Sequence, residues 1–366
     1  MKNLFKYFCT IFLVFFHENL NSEENIYLIK NNEISIEISD IQKARLQAKD
    51  IAFYNAYSKL IEKIIPVSDQ NKNLSLELDD IRNLVSDFTF KKEDFFQKNY
   101  SAKIDVNFNP QKVGELLNKF DISLSNVISE EFLVLPVHNN HNTYYLWEKN
   151  NKWYHELKKN YQQNGLVKLF FPELVIKNKF NMTVENAIQF DENSYKKILN
   201  DYKKNSIIMI FFEENYDYKI ESFISKVNFK VYSQNKFESI KINNRLLELD
   251  YSKNTQIEYF AKLSLKELND WWKSKINISN KVENIKKYVI SNEFFNLKDS
   301  LKLESILRKN SLVIDLVPRV ISKNIIFYDL KSYGSVEKIN LALRALNYQI
   351  EYEPDSKIYS LTKINP

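Results

Sequence analysis

Glycine is almost missing from this chain: three residues in 366, at Gly114, Gly165 and Gly334. They lie far apart, so neither Gly-x-Gly-x-x-Gly nor Gly-x-x-x-x-Gly-Lys-Ser/Thr can be written. Loops that cradle phosphate need glycine for positive φ and close backbone approach. Nucleotide-binding enzymes of the familiar kinds are therefore not expected. The Gly-x-Ser-x-Gly elbow of the α/β hydrolases is absent for the same reason. Cysteine occurs once, as Cys9. If the first residues are removed on export, the mature chain holds no disulfide, thiol nucleophile or thiolate metal ligand. Charge of one sign is lacking too: 52 basic and 47 acidic side chains leave a net charge of +5. Lysine pairs are followed closely by acids, as in KKEDFF (91–96). Nucleic-acid binders concentrate base on one face or stripe, so no nucleic-acid partner is expected.

Asn, Lys, Ile, Phe and Tyr fill the gap, with 26 Phe and 22 Tyr. All five have A/T-rich codons, and we read the bias as genomic drift before adaptation. Hydrophobic residues make up 44% and charged residues 27%, as in ordinary globular material. The length suits two or three domains. MKNLFKYFCTIFLVFFHENLNSEEN opens the chain. Lys2 and Lys6 give a positive start, and Phe8 to Phe16 is an apolar core shorter than the ~20 residues that span a bilayer as a helix. This reads as a secretory signal over 1–22, with an uncleaved inner-membrane anchor as the alternative.

ENIYLIKNNEISIEISD (24–40) suggests two short strands joined at Asn31-Asn32. Ser39 or Asp40 caps a helix to Ile65 in which Ala44, Ala48, Ala52, Ala56, Leu60 and Ile64 recur every four residues. LELDDIRNLVSDF reads as a second helix, TFKKEDFFQ and NYSAKIDVNF (89–108) as a hairpin, and Asn109-Pro110 as a helix start. DISLSNVISE (121–130) links this unit to the next. There FLVLPV (132–137), VKLFFPEL (167–174) and SIIMIFFEE (206–214) are continuous apolar runs, the mark of strands covered on both faces. Helices alternate with them, and strands over 218–243 and a helix from Gln256 to Ile276 complete the unit. From Lys286 the order is β-α-β-β-α-β with an added YSLTKI. The fold class expected is α+β / α/β multidomain: an N-terminal α+β module (24–121), a central three-layer-like α/β module (130–277) and a C-terminal ferredoxin-like β-α-β-β-α-β module (282–366).

Three of the four histidines, His138, His141 and His155, fall in EFLVLPVHNNHNTYYLWEKNNKWYHEL (131–157). Zinc needs three or four ligands, and the spacing does not compel these three to converge. The plainer reading is an exposed loop tip at HNNH and a helix surface at His155. Glu213-Glu214 and Asp79-Asp80 point apart on a strand or helix, and read as solvated faces. Glu173, after Pro172 at the end of an expected strand, is the best-placed single acid, because ligands bind at the carboxyl ends of such strands. Trp147 and Trp153 flank an Asn-rich turn, where aromatics more often pack a loop base than form a binding platform.

KARLQAKDIAFYNAYSKLIEKI, YSAKIDVNFNPQKVGELLNKFDI and above all FLVLPV followed by YYLWEKNNKW give the chain a resemblance to a family. In these motifs, and in VKLFFPEL and DLKSYGSVEKINLALRALNYQIEY, it resembles the exported bacterial proteins grouped as domain of unknown function 2066. The resemblance covers nearly the whole mature chain. It departs from the family in having HNNH, and in Asn151-Lys152-Trp153 where the family has Asn-Pro-Trp. The resemblance implies a Gram-negative periplasmic protein with no known activity, cofactor or ligand. Its first part is also similar, more loosely, to the N-terminal modules of exported flagellar and lipoprotein assembly factors. The function expected is a non-catalytic binding, adaptor or assembly role among envelope proteins, with peripheral membrane association as a further reading and no cofactor. The alternative is a periplasmic hydrolase or a small-ligand or metal-binding protein. It would use the strand ends of the central module, with Pro136, Trp147, Glu148, Trp153 and Glu173 as ligand-binding candidates.

Overall fold

The computed structural model describes residues 25–37, 40–72, 74–163, 165–219, 221–240, 253–276, 285–294, 296–310 and 312–364. The expected export segment, 1–22, lies outside the described residues, as do Ser39 and 241–243. Among the described residues the protein is mixed α/β, with three sheets and ten α-helices. None of those helices is long and apolar enough to cross a membrane.

The first sheet is antiparallel, with order β1-β3-β2: β1 (Leu28–Glu37), β2 (Val85–Phe96) and β3 (Asn99–Phe108). Helix α1 (Ile41–Ile64) lies on it through Ala44, Ala48, Ala52 and Ala56, all fully buried. Small side chains at this spacing let helix and sheet approach closely. The Asp40 carboxylate caps the helix, accepting from the Gln42 and Lys43 backbone N–H groups. Two expectations fail here. Asn31-Asn32 does not divide two strands but forms a bulge in one, with the register shifting between Ile29 and Asn32. Asn31 takes φ 55, and its N–H donates to Asp105 Oδ1 at 2.7 Å. The buried Asn32 amide donates to the Ile29 and Ile104 carbonyls and accepts from Lys59 Nζ. The second helix, α2 (Leu78–Leu84), also stops short of Phe88. From Val85 the chain alternates instead, so Phe88 and Phe90 stand opposite Val106 and Ile104 of the buried face, and Phe88 meets the Phe53 ring at 5.2 Å. Asn109 caps α3 (Pro110–Lys119).

The segment 121–130 is a packed seam. Ile122, Leu124, Ser125 and Val127 are buried. Ser125 N–H donates to the Ile64 carbonyl, and its Oγ donates to the Lys273 carbonyl. Trp272 Nε1 donates to the Val127 carbonyl at 2.7 Å.

The second sheet has order β5-β4-β7-β8-β9, with β6 also on β4: β4 (Glu131–Asn140), β5 (Thr143–Tyr145), β6 (Lys168–Phe170), β7 (Ser206–Asp217), β8 (Ser222–Ser233) and β9 (Lys236–Ile240). Strands β6 and β7 run parallel to β4. One face, with Phe132, Val134, Ile208, Ile210 and Phe212, joins the core that includes Trp153 and Leu157 of α4 (Lys152–Asn160). The other face, with Leu133, Leu135, Val137, Ile207 and Met209, packs with a second core. That core is supplied by α6 (Val184–Ile188) and α7 (Glu192–Tyr202), which follow the short α5 (Lys177–Asn181). Burial on both faces explains the continuous apolar runs. VKLFFPEL pairs only over Lys168–Phe170, because Pro172 cannot continue a ladder. Helix α8 (Lys253–Ile276) closes the first face through Phe260, Leu268 and Trp272.

The third sheet comprises β10 (Ile285–Glu293), β11 (Val313–Ile321), β12 (Ile325–Tyr333), β13 (Tyr348–Glu353) and β14 (Ile358–Lys363), with α9 (Leu297–Lys309) and α10 (Val336–Arg344). Its order is β11-β12-β10-β14-β13. The last strand is not appended at an edge. It lies between β10 and β13, parallel to β10, with Ile290 opposite Tyr359.

Candidate functional site

The carboxyl ends of the parallel strands β4 and β7 are where an α/β sheet places a ligand. His138 is the eighth residue of β4, and alternation sets it on the face of Phe132 and Val134. It is 2% exposed, which overturns the expected loop tip: the strand continues through His138 to Asn140. Its Nε2 lies 3.1 Å from Glu214 Oε2 of β7, and Glu214 is 8% exposed. The expectation of a solvated face for Glu214 is corrected likewise. The ring of His138 lies between those of Tyr145 and Phe212, with centroids 5.8 and 5.4 Å away. Phe212 in turn stacks on Trp153 at 4.7 Å.

Ser225 of β8 stands opposite Glu214 in the ladder, so the two share a face. Its hydroxyl is buried and finds no hydrogen-bond partner among the described residues. In order across the strands the groups are imidazole, carboxylate and hydroxyl. A Ser-His-acid relay needs the imidazole in the middle. This arrangement instead pairs the imidazole directly with the carboxyl group and leaves the hydroxyl on the far side of that carboxyl. Nothing in the spacing of Glu214 and His138, 76 residues apart, announces the pair. The signal available was weaker: a histidine continuing an apolar strand run has one face to occupy, and that face is the core.

The other histidines go elsewhere. His141 takes φ 50 in the turn after β4, and its N–H donates to the Glu214 carbonyl. His155 is exposed on α4, with Nε2 2.8 Å from the Lys149 carbonyl. The three do not assemble, and no group of three or more His, Cys, Asp or Glu suited to a metal occurs among the described residues.

The ligand-binding candidates are occupied by packing. Trp147 is buried and donates through Nε1 to the Met182 carbonyl at 2.6 Å. Trp153, fully buried, donates to the Ile210 carbonyl at 3.0 Å. Asn151, also fully buried, connects the region. Its Nδ2 donates to the carbonyls of Pro136 and Leu146, and its Oδ1 caps α4 at Tyr154 N–H. Glu148 accepts from Leu146 N–H and pairs with Lys179 at 2.7 Å. Burial works to raise its carboxyl, but Lys179 and the backbone N–H groups outweigh it and hold it below the ordinary range. Glu173 is exposed beyond the end of β6, and its carbonyl accepts from Asn178 Nδ2. It is not brought to the His138–Glu214 pair.

A cleft of about 340 Å³ lies past that pair, at the end of the β7–β8 hairpin, lined by Asn215, Tyr216, Tyr218, Lys219, Ile224 and Lys226. A second polar cluster lies at the opposite end of β4. Glu130 is buried and accepts from Ser206 Oγ at 2.7 Å. Arg344 of α10 is close enough for each charge to act on the other. Burial pushes the Glu130 carboxyl up, and the Ser206 hydroxyl and Arg344 only partly counter it. No family model and no curated protein matches the chain, so the family resemblance rests on the motifs quoted above.

Proposed function

We propose that this is an exported, non-catalytic binding and assembly factor of the cell envelope. The observation that carries the reading is the filled strand end of the second sheet. Trp153 stacks there on Phe212, and Asn151 links Pro136 to Leu146. Side chains that would face a substrate in an α/β enzyme are spent on packing. The positive start and short apolar core of the first residues, and the resemblance to an exported family, support the exported compartment in this reading.

On this reading the chain is three modules in series: N-terminal α+β, central three-layer-like α/β, and C-terminal ferredoxin-like with β14 inserted in its sheet. Their polar seams, through Lys273–Glu62 and Asn205–Asn347, support a series held in one arrangement for presenting several surfaces. The partners are envelope proteins. The test is affinity capture of the tagged protein from crosslinked cells, with soluble, inner-membrane and outer-membrane fractions kept apart. Reproducible envelope proteins, absent from an untagged control, are expected. Recovery of the chain alone from every fraction would overturn the reading.

One observation favours a second reading, a small-ligand protein: the open cleft at Tyr216, Tyr218 and Lys226. Substituting Tyr218 would then weaken binding of a periplasmic metabolite without disturbing envelope partners.

A further inference from the structure

Strand β2 is an edge of the first sheet, and it is exposed along nearly all of its length. No strand among the described residues pairs with its outer side. Phe95 and Phe96 are 39% and 71% exposed there. Long open edges are templates for another strand, and proteins guard them with lysines, prolines and bulges. The free edge of β11 carries Pro318, which lacks an N–H to donate. Strand β2 has no proline. Its sequence, Thr89-Phe90-Lys91-Lys92-Glu93-Asp94-Phe95-Phe96, inverts its charge about its own centre.

The register decides whether that inversion can be used. The shift between Phe90 and Lys92 leaves Lys91 out of the alternation. Phe90, Glu93 and Phe95 therefore stand opposite the buried Ile104, Ala102 and Tyr100, on the face of α1. Thr89, Lys92, Asp94 and Phe96 share the other face. We propose that two copies of this chain pair antiparallel through their β2 edges, about a two-fold axis at Glu93. Every opposed pair then lies on one face. Lys92 meets Asp94 of the second copy, Phe90 meets its Phe95, and Thr89 meets its Phe96, each twice by symmetry. Such an isologous contact is self-complementary and closes at two copies. Opposite charges and aromatic pairs at facing sites are the units that stabilise an antiparallel ladder.

The two Glu93 carboxylates that meet at the axis are already compensated, each by Arg45 at 3.1 Å and by the Tyr100 hydroxyl. Lys92 would repel a foreign strand bearing base at that position and accepts its own copy, where an aspartate waits. The same residue thus guards the edge and selects its partner. This inference is independent of the envelope role.

The test is sedimentation velocity of the full chain over a concentration series. A single strand edge is smaller than a standard interface, so a dissociation constant of about 10 µM is expected. Within one chain Lys92 and Asp94 already pair at 2.9 Å, but they are 67% and 60% exposed, so Lys92→Glu and Asp94→Lys should each lower the thermal melt only slightly, and the double variant should restore it. Each alone sets like charges opposite one another and should weaken the dimer about tenfold or more. The double variant K92E/D94K restores complementarity and should restore the dimer. With Cys9→Ser, Glu93→Cys should oxidise to a disulfide-linked dimer, because position 93 faces itself across the axis. A wild-type chain that stays monomeric to about 200 µM would overturn the proposal, since twenty times the expected constant should populate the dimer. So would single reversals that dimerise as the wild type does, or a double variant that fails to recover.

Discussion

The imidazole of His138 and the carboxylate of Glu214 meet at 3.1 Å inside the second sheet, both nearly shut off from water. Removing one partner of such a pair strands the other in a low dielectric, which costs more than the pair itself contributes. His138→Leu should therefore destabilise the fold by about 3 kcal/mol. Glu214→Gln, which keeps a hydrogen-bonding group, should cost about 1 kcal/mol. The double variant H138L/E214L should cost less than the sum of H138L and E214L. Urea unfolding of the four chains gives the cycle, and strict additivity would show that the two groups do not interact.

Asn151 is a second point of leverage. It satisfies two buried carbonyls and one helix N–H at once, and it is fully buried. Asn151→Ala removes the α4 cap and orphans the carbonyls of Pro136 and Leu146. A loss of about 3 kcal/mol is expected from the cap and the unmet acceptors together. Asn151→Asp keeps the cap but loses the two donations, and should fall between the wild type and the alanine variant in the same unfolding assay.

Glu130 gives a pH dependence with a definite sign. Burial raises its carboxyl above the ordinary value of 4.5, so the folded state holds the proton more tightly than the unfolded state. Its contribution to stability is fully present below the unfolded value and is lost as pH rises through the raised folded value. Glu130→Gln has no such proton to lose. Melts of both proteins from about pH 4 to about pH 8 should show the wild type losing ground to E130Q as pH rises. A constant difference across that range would contradict the direction.

The scarcity of glycine leaves its mark in the hairpins. Gln97-Lys98, His141-Asn142 and Gln234-Asn235 all take positive φ at both residues, the two-residue turn that matches strand twist. Only the asparagines suit that region. Lys98, at φ 67, bears a Cβ penalty that glycine would not. Lys98→Gly should stabilise the protein by about 0.5–1 kcal/mol, net of the greater freedom of the unfolded chain. A lowered melting temperature would show that the lysine side chain contributes more than its backbone strain costs.

These turns show why parts of the fold were legible and others not. Alternation in NYSAKIDVNF and the four-residue alanine spacing of α1 are local patterns, and each appears in the structure as a strand and a helix buried on the indicated side. The three continuous apolar runs mark the core of the second sheet for the same reason. Asn31-Asn32 misled because asparagine serves a bulge as readily as a turn, and the choice was made by Asp105 and Lys59, far along the chain. HNNH misled because polarity suggests a loop, whereas the register of β4 on β7 carries His138 inward to Glu214. A long-range partner of this kind also decided the Glu130–Arg344 seam, whereas Ser225 is set on the face of Glu214 by the register of the β7–β8 hairpin. Position of the last strand was equally hidden: YSLTKI states that a strand exists, but pairing with β10 places it inside the sheet.

The most direct test of the envelope role is the size at which the protein travels in gently lysed, fractionated cells. Sucrose-gradient sedimentation of each fraction, followed by immunodetection, reads that size without a tag or crosslinker. The account predicts that the protein migrates with envelope components, well beyond the 43.7 kDa chain or its dimer. Migration solely as the free chain or dimer, at every salt concentration tried, would contradict it and turn attention to the cleft at Tyr216 and Tyr218.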